Sequence, residues 1–198
     1  MKRFDLANLD VKWRYLIMMV ICVALNEVLY LLAQAFGLPL WLDLPGTALA
    51  ALALEPAAGL LVGLMNDFFI AVTSLDASAI LYYAASAAVA LIVGINMRRE
   101  DKPLRRRILT TILYVIIATT VIASLLTLLR NGGVPADNVW EMRFYNAALA
   151  WDWSNVAACF FATFLVKVFD AFATAGIVAL FYRFMPKALK NPLQLYKV

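Results

Sequence analysis

The sequence predicts an all-α fold, a polytopic membrane protein built as a compact bundle of six transmembrane helices with both termini cytoplasmic. Three observations predict it. The 198-residue chain is 65% hydrophobic and only 15% charged, with a mean hydropathy of +0.83. A soluble domain is nearer about half apolar and about a quarter charged. The apolar residues fall into runs able to cross ~30 Å of hydrocarbon at ~1.5 Å per helical residue. Finally, 14 of the 17 Lys and Arg cluster in three segments at the ends of those runs. Six lie in Arg98–Arg107, four (Lys2, Arg3, Lys12, Arg14) precede the first run, and four (Arg183, Lys187, Lys190, Lys197) follow the last. Cytoplasmic loops hold excess Lys and Arg because these cations are costly to translocate, so the three basic segments mark the inner side.

Residues 1–14 are polar with scattered apolar positions and are expected to lie along the inner interface, with Trp13 as an anchor. The first span covers about 15–36 and stops at Gly37 and Pro39. It is longer than a signal-peptide core and lacks a small-residue cleavage site, so it reads as a retained span. Residues 40–73 admit two readings. A single span, Leu44 to Met65, would give five crossings and strand Arg98–Arg107 outside. Two short spans, 40–54 and 57–73, turn at Glu55–Pro56 on the inner side and return every basic segment to the cytoplasm. Proline lacks a backbone donor and disfavours helix at the preceding residue, which suits the turn.

The fourth span covers 78–96, the fifth 108–129 and the sixth 156–184. Between the last two, residues 130–155 form an extracellular aromatic-rich loop, opened by the turn Asn131-Gly132-Gly133. Its aromatic residues read either as an interfacial helix or lid, or as a belt anchoring span ends at Trp140 and Trp153. The whole chain, 1–198, is read as a single transmembrane domain.

Composition also excludes chemistry. The chain has no histidine, which removes His-based nucleophilic machinery and most transition-metal sites. Cys22 and Cys159 fall near opposite faces, too far apart for a disulfide. No Gly-x-Ser-x-Gly, Walker or Cys-x-x-Cys motif occurs, so no enzyme activity, cofactor or metal is expected. Asp43 and Asp67 lack the Tyr-Asp and Gly-x-Gly-Asp context of intramembrane carboxylate proteolysis. The net charge of +4 is inner-face anchoring and not a nucleic-acid footprint.

Ionisable residues inside spans are functional candidates by default. Here they are Glu27, Asp67, Lys167 and Asp170. Lys167 and Asp170 share a helical face and either neutralise each other or leave Lys167 as a fixed cation for a ligand anion or Glu27. Depth counting gathers polar and aromatic groups about a third of the way in from outside. Asp43, Asn66, Asp67, Tyr82 and Tyr83 come from the second to fourth spans, Ser124 and Thr127 from the fifth. Trp151, Asp152, Trp153 and Asn155 cap the sixth. Such convergence fits a small-molecule site, and the carboxylates and rings would tolerate a cationic or heteroaromatic ligand. Lys167 adds a place for an anion, so a zwitterionic or phosphate-bearing compound would satisfy both. Gly59 and Gly63 form a small-xxx-small pair, serving either the packing of the short hairpin or the docking of another membrane subunit.

The stretch Pro39-Leu-Trp-Leu-Asp-Leu-Pro-Gly-Thr-Ala-Leu-Ala-Ala-Leu-Ala-Leu-Glu-Pro-Ala-Ala-Gly-Leu-Leu-Val-Gly-Leu-Met-Asn66 resembles a segment of the substrate-binding S components of energy-coupling factor (ECF) transporters. Size, six-span layout, cytoplasmic termini and the short hairpin agree with that family. Sensory membrane modules carry a similar pattern ahead of kinase domains, but no attached signalling domain is expected here. The resemblance implies a subunit in a prokaryotic plasma membrane that captures a vitamin or related heteroaromatic micronutrient from outside. It further implies partners: a membrane scaffold and two ATPases that drive uptake. The family's Ala-x-x-x-Ala docking pair is absent from the first span, where Ala24 is followed by Val28 and Ala33 by Gly37. Gly59/Gly63 and Ala84/Ala88 are then the candidate docking faces. The alternative is a membrane sensor or assembly module acting through a partner protein.

Overall fold

A computed structural model describes residues 10–135, 138–186 and 189. Seven helices are present: α1 (Val11–Ala35), α2 (Pro45–Ala53), α3 (Pro56–Thr73), α4 (Tyr83–Asn96), α5 (Leu104–Asn131), α6 (Val139–Ala150) and α7 (Asn155–Phe184). A 3-10 segment, Ala77–Tyr82, runs directly into α4, and no strand occurs among the described residues. Among the described residues, five stretches are long and apolar enough to cross a membrane: α1, α3, Ala77–Asn96, α5 and α7. The chain is a helical, multi-pass membrane protein.

The distribution of side chains fits lipid on the outside. Leu109, Leu113, Ile117, Val121 and Leu125 recur every fourth residue as an exposed stripe along α5, while Asn26, Thr47, Asn66, Ser86, Thr119 and Thr163 are fully buried. Lipid gives helices no hydrophobic reason to associate, so close packing of small residues and internal hydrogen bonds hold them together. Gly59 and Gly63 serve that packing. A Cβ on Gly59 would lie 2.7 Å from the Ala51 Cβ, and one on Gly63 would lie 2.9 Å from the Ser86 Cβ. Both glycines are buried against α2 and α4, which corrects their reading as a docking face. Ala84 is exposed on α4 and Ala88 is half-buried.

The expected second span, 40–54, is corrected in form. Only Pro45–Ala53 is helical, nine residues rising roughly 13 Å. Pro39 and Pro45 bracket a segment that cannot supply a regular helical ladder, and Leu42 has φ 53°. Non-helical backbone survives at membrane depth only where protein satisfies it. Here the Trp41 and Leu42 N–H groups donate to Asp170 Oδ1 at 3.2 and 2.9 Å. Below them the Gly46 N–H donates to Asn26 Oδ1 (2.6 Å), and Asn26 Nδ2 to Thr47 Oγ1 (3.0 Å). Every residue of α2 except Leu52 is buried, with α1, α3, α4 and α7 around it.

Hydrogen bonds sort the connections to two ends. At one end Tyr15 donates to Glu55 Oε1 (2.6 Å), and Arg98 donates to the Ala51 and Leu54 carbonyls (2.9 Å each) and to Gly94 O. A cation there satisfies orphan carbonyls and faces the negative end of the α2 dipole. At the other end Trp140 Nε1 donates to Gly37 O (2.8 Å), and Asp76 pairs with Arg130. The segment 38–44 and α2 together run between these ends.

The loop 130–155 contains α6, whose N-cap Asn138 accepts from the Trp140 and Glu141 N–H groups (2.9 and 3.1 Å). Tyr145 and Ala148 of α6 pack on Ala158 and Ala162 of α7. Much of the expected interfacial segment, 1–9, lies outside the described residues, as do Lys187, Lys190 and Lys197. Residues 11–14 are the first turn of α1 and not a separate element. Both cysteines are buried and free.

Candidate ligand-binding cavity

The clamp on residues 41–42 is what creates a site. Asp170 takes up both N–H groups with one carboxylate oxygen, so the chain is fixed where it would otherwise be free to choose among extended conformers. That fixes the flanking side chains, Trp41 and Asp43. Trp41 stacks on Tyr30 with centroids 6.5 Å apart and planes 4° apart, and its Nε1 donates to Glu141 Oε1 at 3.3 Å. On the same ring lies the Lys167 ammonium, 5.9 Å from the centroid.

These residues line a cavity of ≈ 260 Å³ at the end opposite Arg98. Asp43, Asp67, Glu141 and Lys167 supply its charges, with Trp41, Tyr30 and Tyr82 as aromatic walls. Asp67, 2% exposed, accepts from Ser86 Oγ at 2.6 Å. Asp43 Oδ1 is buried with no hydrogen-bond partner. Lys167 is 7% exposed, and no carboxylate oxygen lies within ion-pairing distance of its ammonium among the described residues. An anion acceptor and a cation acceptor thus face one space, each holding bonding capacity in reserve. A buried charge left so is costly unless something completes it.

The mouth is closed by a different set. Arg130 pairs with Asp76 and lies over the Tyr82 ring at 5.2 Å, while the Tyr82 hydroxyl and Thr127 Oγ1 are 3.2 Å apart. Asp76 caps the 3-10 segment and accepts from Ser78 through both its hydroxyl (2.6 Å) and its N–H (2.9 Å). Those two hydrogen bonds, with Arg130 beside them, hold the Asp76 carboxyl below the usual aspartate range.

Of the residues singled out from the sequence, Asp43, Asp67, Tyr82, Lys167 and Thr127 line this cavity together. The others do not. Asn66 is fully buried on the neighbouring face of α3, and Tyr83 is half-buried one residue past the lining Tyr82. Trp151 is 62% exposed at the α6–α7 corner, where it clusters with Trp153 and Phe161 at centroid distances of 6.3 Å each. Asp152 is exposed at the same corner with φ 60°. Asn155 pins that corner, donating to Gly132 O (2.6 Å) and accepting from the Tyr145 hydroxyl (2.8 Å). The sequence left open whether Lys167 and Asp170 neutralise each other or Lys167 stands as a fixed cation; the two make no direct ion pair, and Asp170 Oδ1 holds the 41–42 backbone.

Sequence reasoning missed Trp41, Tyr30, Arg130, Asp76 and Glu141. A signal existed for Trp41, which stands two residues from Asp43 between prolines that forbid a helix there. Among the described residues no group of three or more acidic or cysteine side chains is placed to hold a metal ion. No family model matches the chain, and no curated protein or solved structure resembles it closely enough to count as a match.

Proposed function

We propose that this protein is a membrane-embedded binding subunit that captures a small ring-bearing, zwitterionic compound, such as a vitamin or its precursor, from outside the cell. The observation that carries the reading is the meeting of Asp43 and Lys167 on one aromatic-walled cavity, with the Asp43 Oδ1 unpartnered. Lys167 takes an acidic or phosphate group, Asp43 and Asp67 take an amine or ring N–H, and the Trp41 face takes the ring. In this reading the subunit binds its compound and performs no chemistry of its own.

The orientation follows from charge. Tyr15, Glu55 and Arg98 share one end, and Arg98 opens the basic segment, so that end is cytoplasmic and the cavity faces out. The chain then crosses six times, counting 38–53 as one crossing, with both termini inside a prokaryotic plasma membrane. The resemblance of residues 39–66 to ECF S components favours ATP-driven uptake through a membrane scaffold and ATPase subunits. Outward-lying Ala84 and Ala88 are the docking face that remains available.

The test is a thermal-stability screen of the detergent-solubilised protein against water-soluble vitamins and their heteroaromatic precursors. A compound at about 100 times its Kd should stabilise by about 2.7 kcal/mol. Stabilisation by one compound, cut to about a third in Asp43→Asn at the same concentration, is the expected result. No stabilisation by any of them, with stable co-purification of a kinase or biosynthetic enzyme, would favour the sensor or assembly module instead.

A further inference from the structure

A second cavity, of ≈ 480 Å³, lies between α5 and α7 at the end of the bundle that carries Arg98. Its floor is Ala48 of α2 and Val89 of α4, both buried, while Leu104 and Ile108 at its edge are exposed. It is therefore a groove open sideways to hydrocarbon. Along α7 its wall is Ala171, Ala175 and Ala179, and the shortness of these side chains is what leaves the space.

Lining and charge identify the occupant. The lining runs on α5 from Leu104 to Val115, roughly 16 Å of helix, and it is almost wholly apolar and open at Leu104 and Ile108, which suits a hydrocarbon chain lying along the helix. No carboxylate is among the lining residues, and the exposed Arg183, near the C-terminal end of α7, is one of them. Near that end Arg107 donates from Nη1 to the carbonyl of Met97, itself a lining residue, and its Nε is buried with no partner.

We propose that this groove holds one acyl chain of an anionic phospholipid, with the phosphate at Arg183 and Arg107. Cytoplasmic leaflets supply such lipids, and basic sites between helices on that side select their headgroups. The site is separate from the outward cavity, and its test does not involve the captured compound.

The experiment is native mass spectrometry of the full chain released from nanodiscs of equal phosphatidylglycerol and phosphatidylcholine with identical chains. Wild type should retain phosphatidylglycerol at least fivefold over phosphatidylcholine. Arg183→Gln should bring that ratio below twofold, whereas Arg106→Gln, an exposed cation that does not line the groove, should leave it unchanged. Ala175→Phe fills the groove and should cut retention of both lipids at least threefold. Ala179→Leu, a milder filling, should cut it in the same direction should the Phe variant fail to fold. Millimolar glycerophosphate should displace nothing. Equal retention of the two lipids by wild type, a ratio unmoved by Arg183→Gln, retention unmoved by both filling variants, or displacement by glycerophosphate would each overturn the proposal.

Discussion

Asp170 illustrates how one side chain serves fold and site together. Its Oδ1 accepts two backbone N–H groups in a stretch where no regular ladder is available. Asp170→Ala orphans both donors inside the bundle, and a buried unsatisfied group costs about 1–3 kcal/mol. Unfolding in detergent should therefore show a loss of about 2–4 kcal/mol, together with weakened ligand binding because Trp41 and Asp43 lose their support. Asp43→Asn acts on binding alone. Removing a charge from a desolvated site typically costs about 2 kcal/mol or more, so its Kd should rise about 30-fold in calorimetric titration with melting unchanged. At the rim, Ser78 and Arg130 lower the Asp76 pKa, which fixes the sign of its pH dependence. A depressed folded pKa means that the stabilisation is complete above the ordinary aspartate value of about 4 and fades as pH falls through the lower folded value. The Asp76 carboxyl resonance should accordingly titrate below about 4, and Arg130→Gln should move it upward.

Two elements depart from what apolar periodicity alone would draw. The short α2 is held by others, since Arg98 occupies the Ala51 and Leu54 carbonyls at its C-terminal end and Asn26 holds Gly46 near its start. Arg98→Ala should lower stability by about 1–3 kcal/mol through the loss of charged hydrogen bonds, read as a shifted denaturation midpoint. The glycines of α3 belong to the same contact, and Gly63→Leu should destabilise by at least about 1–3 kcal/mol through overpacking against Ser86. The turn at Glu55–Pro56 was legible because proline cannot continue a helical ladder there. The extent of α2 was not, because residues 38–44 are as apolar as a helix, and what keeps them extended is Asp170, more than a hundred residues away. The helix α6 was legible only as one of several readings of an aromatic-rich loop, since its Asn138 cap and its seat on α7 depend on tertiary packing.

For the whole molecule, apolar length was the readable quantity and direction was not. Depth counting placed Asp43, Asp67, Tyr82 and Thr127 at one level, and they do face one cavity. It placed Trp151, Asp152 and Asn155 at that level too, yet these turn to the α6–α7 corner, because depth says nothing of which way a helix end faces. Glu141 and Arg130 escaped notice as loop charges, although packing of α6 and the end of α5 carries both to the cavity. The central claim is that Trp41, and not the corner tryptophans, forms the wall of the binding cavity. Tryptophan fluorescence titration of wild type, Trp41→Phe and Trp151→Phe with the same set of vitamins and precursors tests it most directly. One compound should quench wild type and Trp151→Phe alike while leaving Trp41→Phe unquenched. Quenching that survives in Trp41→Phe and disappears in Trp151→Phe would contradict the account.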